Sequence, residues 1–197
     1  TVIPQPTASI SGTTTICSGN SATISFTGTP NAIVTYTVNG GVNQTITLDT
    51  VGNASLTTGN ISSSEVYNLL QASTQTIPSC SQTLSGTATI TVLALPTASI
   101  SGSSTICYNT STTINFVGTP NAIVTYTVNG GSNQAIVLDS TGNATLNTGN
   151  LASTSTYSLV SVSSATTPVC TQSISGSATV TVIPQPTASI SGTTTIC

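Results

Sequence analysis

Between positions 32 and 39 the side chains alternate with a period of two: Val34, Tyr36 and Val38 point one way, and Ile33, Thr35 and Thr37 the other. Successive side chains of an extended chain stand on opposite faces, so this spacing predicts a half-buried strand. Asn39-Gly40-Gly41 follows it, a hairpin turn signal because Asn and Gly adopt positive φ at little cost. The return strand spans 44–48, with Ile46 and Leu48 inward, and 49–53 (DTVGN) turns the chain again. The same reading places strands at 7–11, 14–17 and 22–26 before this hairpin, and at 54–57, 66–72 and 83–92 after it. No segment shows a helical period of 3.6. The inward positions make a small core of Ile24, Phe26, Val34, Tyr36, Val38, Ile46, Leu48, Leu56, Tyr67, Leu69, Ile90 and Val92.

The pattern then recurs. Cys17, Cys107 and Cys197 are 90 apart, as are Cys80 and Cys170, and 54 of the 90 positions in 1–90 are identical in 91–180. The stretch 28–41 is unchanged at 118–131, and the first seventeen residues, TVIPQPTASISGTTTIC, return as the last seventeen. The joints read VIPQP, VLALP and VIPQP, so the repeating unit extends to a pair. A period near 90 residues exceeds that of solenoids and suits domains with their own cores. Seven or eight short strands in each, with turns every 8–12 residues, predict tandem immunoglobulin-like antiparallel β-sandwiches. The expected boundaries are 1–5, the end strand and linker of a preceding repeat; 6–95, repeat 1; 96–185, repeat 2; and 186–197, the start of a third. The chain is expected to be a window on a longer polymer.

Composition narrows the chemistry. The chain has no Lys, Arg or His, and Asp49, Glu65 and Asp139 are its only charged side chains, where an ordinary domain is about one quarter charged. Without cations there is nothing to neutralise a phosphate backbone, so no nucleic acid is expected as a partner. Without His or paired carboxylates, neither general acid/base pairs nor nucleophilic triads can be built, and the expected protein is not an enzyme. Metal sites and cofactors are not expected either, since calcium requires several concentrated oxygen ligands. A Lys–Asn isopeptide staple is impossible. More than a third of the residues are Ser or Thr, which suit the solvent face of a strand and keep a nearly uncharged surface wet. No apolar run approaches a membrane span.

Five cysteines form an odd set, but periodicity assigns two to each repeat. The expected disulfides are Cys17–Cys80 and Cys107–Cys170, with Cys197 pairing outside the window; a competing pairing joins Cys80 to Cys107 across the linker. Closing a loop of that length is worth roughly 4 kcal/mol by chain entropy, a large share of a small domain's stability. Structural disulfides imply an oxidising, extracytoplasmic setting. A strand over 87–92 runs directly into each proline-containing joint, which favours an extended, stiff path. A rod advancing about 35–45 Å per repeat is expected, from strands of eight residues at roughly 3.3 Å each plus the joint. Edge strands, usually guarded by Lys, must here be guarded by Pro, bulges or glycans, or be used in lateral bundling.

The pattern PTASISG, then Cys, YTVNGG, Tyr-x-Leu and the closing Cys-x-Gln-x-x-SGSATVTV resembles the repeats of very large flavobacterial cell-surface adhesins, the SprB-type gliding-motility proteins exported by type IX secretion. The resemblance covers 6–92, 96–182 and the stretch beginning at Pro186. It implies an extracellular, cell-surface filament or stalk serving adhesion and gliding motility. Its partners would be neighbouring repeats of the same chain, lateral filaments or surface polysaccharide. It also implies O-glycosylation at Asp-Ser/Thr sites, which Asp49-Thr50-Val51 and Asp139-Ser140-Thr141 fit, making Thr50 and Ser140 the acceptors; an Asx-type turn needs the same residues. Alternatives are a glycan- or surface-binding module with a flat hydroxyl array, and a filament subunit that exchanges strands.

Overall fold

The computed structural model describes residues 4–196. The chain divides into two compact units, Thr1–Ala94 and Leu95–Cys197, and every regular element among the described residues is a strand. Repeat 1 contains β1 (Ala8–Ser11), β2 (Thr14–Cys17), β3 (Thr23–Gly28), β4 (Ile33–Val38), β5 (Gln44–Thr47), β6 (Asn53–Thr57), β7 (Glu65–Ser73), β8 (Ser81–Thr83) and β9 (Thr87–Leu93). Repeat 2 contains the same nine: β10 (Ala98–Ser101), β11 (Ser104–Cys107), β12 (Thr113–Gly118), β13 (Ile123–Val128), β14 (Gln134–Val137), β15 (Asn143–Asn147), β16 (Ser155–Ser163), β17 (Thr171–Ser173) and β18 (Ser177–Ile183).

Each repeat is a sandwich of two sheets. In repeat 1 one sheet has the order β1-β3-β6, and the other β2-β9-β7-β4-β5 with β8 also on β7. The core lies between them: Ile24, Phe26, Val34, Tyr36, Leu48, Tyr67, Leu69 and Ile90 are buried, with Ala32 and Ala88 filling the space between larger neighbours. Val38, Ile46, Leu56 and Val92 are half-buried against this cluster, so all twelve expected core positions belong to it. With neither Trp nor Met in the chain, the centre is aromatic: the Phe26 and Tyr36 ring centroids lie 5.2 Å apart and Tyr36 and Tyr67 6.3 Å apart. The phenols reach partners at the margin, Tyr36 donating to Gln44 Oε1 at 3.0 Å and Tyr67 to Glu65 Oε2 at 2.6 Å. Repeat 2 has an equivalent core around Phe116, Val124 and Tyr126.

Two details depart from the sequence reading. The sandwich is not wholly antiparallel: β2 runs parallel to β9, with Thr14 opposite Ile90 and Cys17 opposite Leu93. The first hydrophobic segment splits at Gly12, whose φ of 113° lets the chain leave one sheet after β1 and join the other as β2. Any Cβ there would meet the Thr23 carbonyl oxygen. The single strand expected over 83–92 is instead β8 and β9, both on one edge of β7. The β8 register pairs Gln71 with Thr83 and the β9 register pairs Asn68 with Thr87, so one extra residue is absorbed at 84–86, a bulge.

The four buried tyrosines set a limit on stability in base. Burial pushes the phenols of Tyr36, Tyr67, Tyr126 and Tyr157 above the ordinary tyrosine range, and Glu65 adds to the effect at Tyr67. A folded-state pKa that is raised favours the protonated, folded form, so this contribution is complete below about pH 10 and is lost as the pH rises further. Cooperative unfolding in that range is expected, coincident with the rise in tyrosinate absorbance. Titration of these phenols well below the loss of circular dichroism would refute it.

Candidate modification turns and cysteine poles

The two Asp-Ser/Thr segments are turns of the same design. Asp49 Oδ1 accepts the backbone N–H groups of Val51 at 2.9 Å and Asn53 at 2.8 Å, and the Asp49 N–H donates to Asn53 O at 2.8 Å. Asp139 Oδ1 accepts from Asn143 N–H at 2.9 Å and from both the N–H and the hydroxyl of Thr141, at 2.8 and 2.7 Å. These donors, led by the Asn53 and Asn143 N–H groups, hold both carboxyls below the usual carboxylate range. The Asx-turn geometry is therefore present. It leaves Thr50 and Ser140 exposed at the tips, so the turn and a modifiable hydroxyl coexist.

In repeat 1 the turn adjoins a sheet face made of hydroxyls and amides, while in repeat 2 the equivalent face is interrupted by Val117, exposed where repeat 1 has Thr27. On the outside of β1, β3 and β6, Ser9 is paired with Thr27 and Ser11 with Ser25, while Thr23 is paired with Thr57, Ser25 with Ser55 and Thr27 with Asn53. Cross-strand bonds knit part of this array, with Ser9 Oγ 2.7 Å from Thr27 Oγ1. A shallow depression bordered by Ser25, Thr27, Asn53 and Ser55 reaches Asp49. Period-two alternation makes this face: the inward residues of β3 are Ile24 and Phe26, so its other residues must face out.

The cysteines overturn the expected pairing. Cys17 and Cys170 are disulfide-bonded, whereas Cys80 and Cys107 carry free thiols. Neither Cys17–Cys80 nor Cys107–Cys170 is formed, and nor is Cys80–Cys107; Cys197 lies outside the described residues. The reason is the strand register. Cys17 faces Leu93, three residues beyond the Ile90 that pairs with Glu65 at the start of β7. Cys80 lies past the other end of β7, its carbonyl accepting from Thr74 N–H at 2.9 Å and its N–H donating to Thr74 Oγ1 at 2.9 Å. The nine residues of β7 alone span about 26 Å, and a disulfide requires Cα atoms within about 7 Å. Repeat 2 repeats the geometry: Cys107 pairs with Ile183, and Cys170 accepts from Ser164 N–H at 2.8 Å beyond β16.

Each repeat thus has one cysteine at either pole. The leading pole is where the chain enters β1: Thr7 and Thr29 bond there, Asn31 N–H reaches Asp49 O, and Gln75 of the Cys80 loop donates to Asn31 O at 2.9 Å. The trailing pole is where β9 leaves, with Ser18 N–H on Leu93 O at 2.8 Å beside Cys17.

No family model matches the sequence, and no curated protein does. The fold has solved counterparts. A marsupial T cell receptor superposes with a TM-score of 0.58 at 13% identity, over 95% of this chain and 76% of that one. A trypsin-activated alpha-2-macroglobulin from Escherichia coli aligns at 9% identity over 91% of this chain and 16% of that one, with a TM-score of 0.35, too low to carry an argument. The receptor likeness shows architecture alone: the chain is a pair of immunoglobulin-like β-sandwiches.

Proposed function

We propose that these repeats are a structural segment of a long extracellular filament or stalk that serves cell-surface adhesion and gliding motility. The observation that carries this reading is polar: in each repeat the chain enters at one end of a self-contained sandwich and leaves at the other, 90 residues later, into the same motif. Such a unit extends a string by addition without altering its neighbours. The absence of cations and the hydroxyl-covered faces suit a spacer that avoids charged partners, and no catalytic role is assigned to any residue. Disulfide-bonded Cys17 and Cys170 support a location outside the cytoplasm. Each repeat completes both sheets with its own nine strands, which weighs against a strand-exchanging subunit.

Electron microscopy of native material tests the reading. Thin strands beaded at about 40 Å are expected, from the length of the strands, while a wide helical lattice would refute it. A second reading, a polysaccharide-binding face, is favoured by the hydroxyl array on β1, β3 and β6; binding of the recombinant chain to surface glycans in a pull-down would support it. Glycosylation at Thr50 and Ser140 predicts native peptides heavier than bare polypeptide at these turns, and unmodified masses there would sink it.

A further inference from the structure

We propose that repeat 2 carries a binding site for a neutral saccharide, in the groove between the turn after β11 and the segment that follows β18, with the Tyr108 ring as its platform. The groove has a volume of about 400 Å³, within the roughly 300–1,000 Å³ of ordinary ligand sites. Tyr108, Asn109, Ile183, Pro184, Gln185 and Pro186 line it, and all six belong to one compact unit. Tyr108 is 46% exposed, whereas the other four tyrosines and both phenylalanines are buried in the two cores. It is the single aromatic ring of the chain that a ligand can reach.

The turn is braced before any ligand arrives. Tyr108 N–H donates to Ile183 O at 3.0 Å and Asn109 N–H to Leu151 O at 2.8 Å, while the Thr110 hydroxyl donates to Cys107 O at 2.7 Å. The polar side chains of the groove are unspent. Among the described residues no protein group hydrogen-bonds to the Tyr108 hydroxyl or to the carboxamides of Asn109 and Gln185. A flat ring accepts the apolar face of a sugar ring, and a carboxamide, with donors and an acceptor side by side, matches neighbouring hydroxyls. No charged side chain lines the groove and the chain has no cation, so an anionic ligand finds no counter-charge there.

Repeat 1 differs at these positions. It has Ser18 and Gly19 where repeat 2 has Tyr108 and Asn109, and Ala94 and Leu95 where repeat 2 has Pro184 and Gln185. Gly19 and Asn109 are both left-handed, at φ 86° and 60°, so the turn forms without the asparagine. The ring and both carboxamides are additions of repeat 2, gathered on one groove of an otherwise duplicated chain, which is the pattern of recognition rather than of folding. None of these residues lies on β1, β3 or β6, so failure of this site would leave both the stalk reading and the hydroxyl-face reading standing.

The test is binding of the folded two-repeat chain to an array of neutral and anionic oligosaccharides, with a polyproline peptide as a competing probe. Retention on a neutral oligosaccharide is expected, weakened about tenfold or more by Tyr108→Ser and about two- to tenfold by Asn109→Gly; both variants take the repeat 1 residue, and unchanged melting curves will show them folded. Thr27→Val, which gives the hydroxyl face of repeat 1 the residue found at Val117 of repeat 2, should leave binding unchanged. The thiol of Cys107 gives a readout without mutation, since it is free and lines the same groove. A saturating neutral oligosaccharide should slow its alkylation severalfold and leave that of Cys80 as it was. Retention of no neutral oligosaccharide, binding that survives Tyr108→Ser, binding lost in Thr27→Val, a preference for the peptide or for anionic sugars, or an unprotected Cys107 would each overturn the proposal.

Discussion

Phe26→Ala is expected to unfold the first repeat at temperatures where the second remains folded. The ring is fully buried against Tyr36 at 5.2 Å, in a core whose other members are mostly Val, Ile, Leu and Ala. Truncating such a ring costs about 3–5 kcal/mol through lost transfer energy and the cavity left behind. That is a large part of the roughly 5–15 kcal/mol that holds a typical domain. Collapse cannot close the gap cheaply, because Ile24 and Val34 are held on opposing sheets by their own ladders. Phe116 belongs to a separate cluster, so calorimetry of the two-repeat chain should resolve a lowered transition beside an unchanged one. Val42→Ala, at a position 81% exposed, should move neither by more than about 0.5 kcal/mol. A single transition that shifts as a whole would show that the repeats do not unfold separately.

The core was legible because alternation is a local signal. Val34 and Tyr36 can be buried only if Thr35 is turned away, and this holds wherever the strand pairs. Pairing partners are not local. The letters TASISGTTTIC form β1 and β2 at 7–17, where β3 and β9 supply hydrogen bonds, yet residues 187–196 carry no strand and are exposed. Pro6 is buried while Pro186 is exposed, for the same reason. The parallel β2–β9 pair was invisible because Gly12 marks a break without stating which sheet the chain joins next.

The cysteines show a different limit. Periodicity gives each repeat two cysteines, and loop entropy favours bonding them to each other, but neither consideration contains the length of β7. Once Glu65 is set opposite Ile90 and Thr74 against Cys80, the distance along that strand forbids the bond. The turn residues are more readable: Asp49 fits both an Asx turn and a modification motif. The carboxylate does make the turn, while leaving the neighbouring hydroxyl exposed.

Gly52→Ala should be nearly as damaging as loss of the core ring, although it removes no contact. Gly52 sits in the left-handed region at φ 88°, where a side chain is strained. A Cβ there would also be driven into the carbonyl oxygen of Gly28, with the Gly28 carbonyl carbon 3.3 Å away. That oxygen belongs to the last residue of β3, and Gly28 N–H donates to Gly52 O at 2.8 Å, so neither backbone can withdraw without breaking the turn that carries the chain between sheets. Strain of about 1–3 kcal/mol for the backbone conformation adds to the clash, giving an expected loss of about 3 kcal/mol or more, at the extreme of single substitutions. Gly40→Ala supplies the control. Its φ is 68° but nothing lies within 4 Å of the added carbon, so only the left-handed penalty of about 1–2 kcal/mol applies. Denaturant midpoints of the two variants should separate accordingly, and Gly142→Ala should reproduce the larger loss in the second repeat. Equal midpoints for Gly52→Ala and Gly40→Ala would mean that the β5–β6 turn relaxes around the methyl group, and that close backbone approach at Gly28 is not what fixes the glycine.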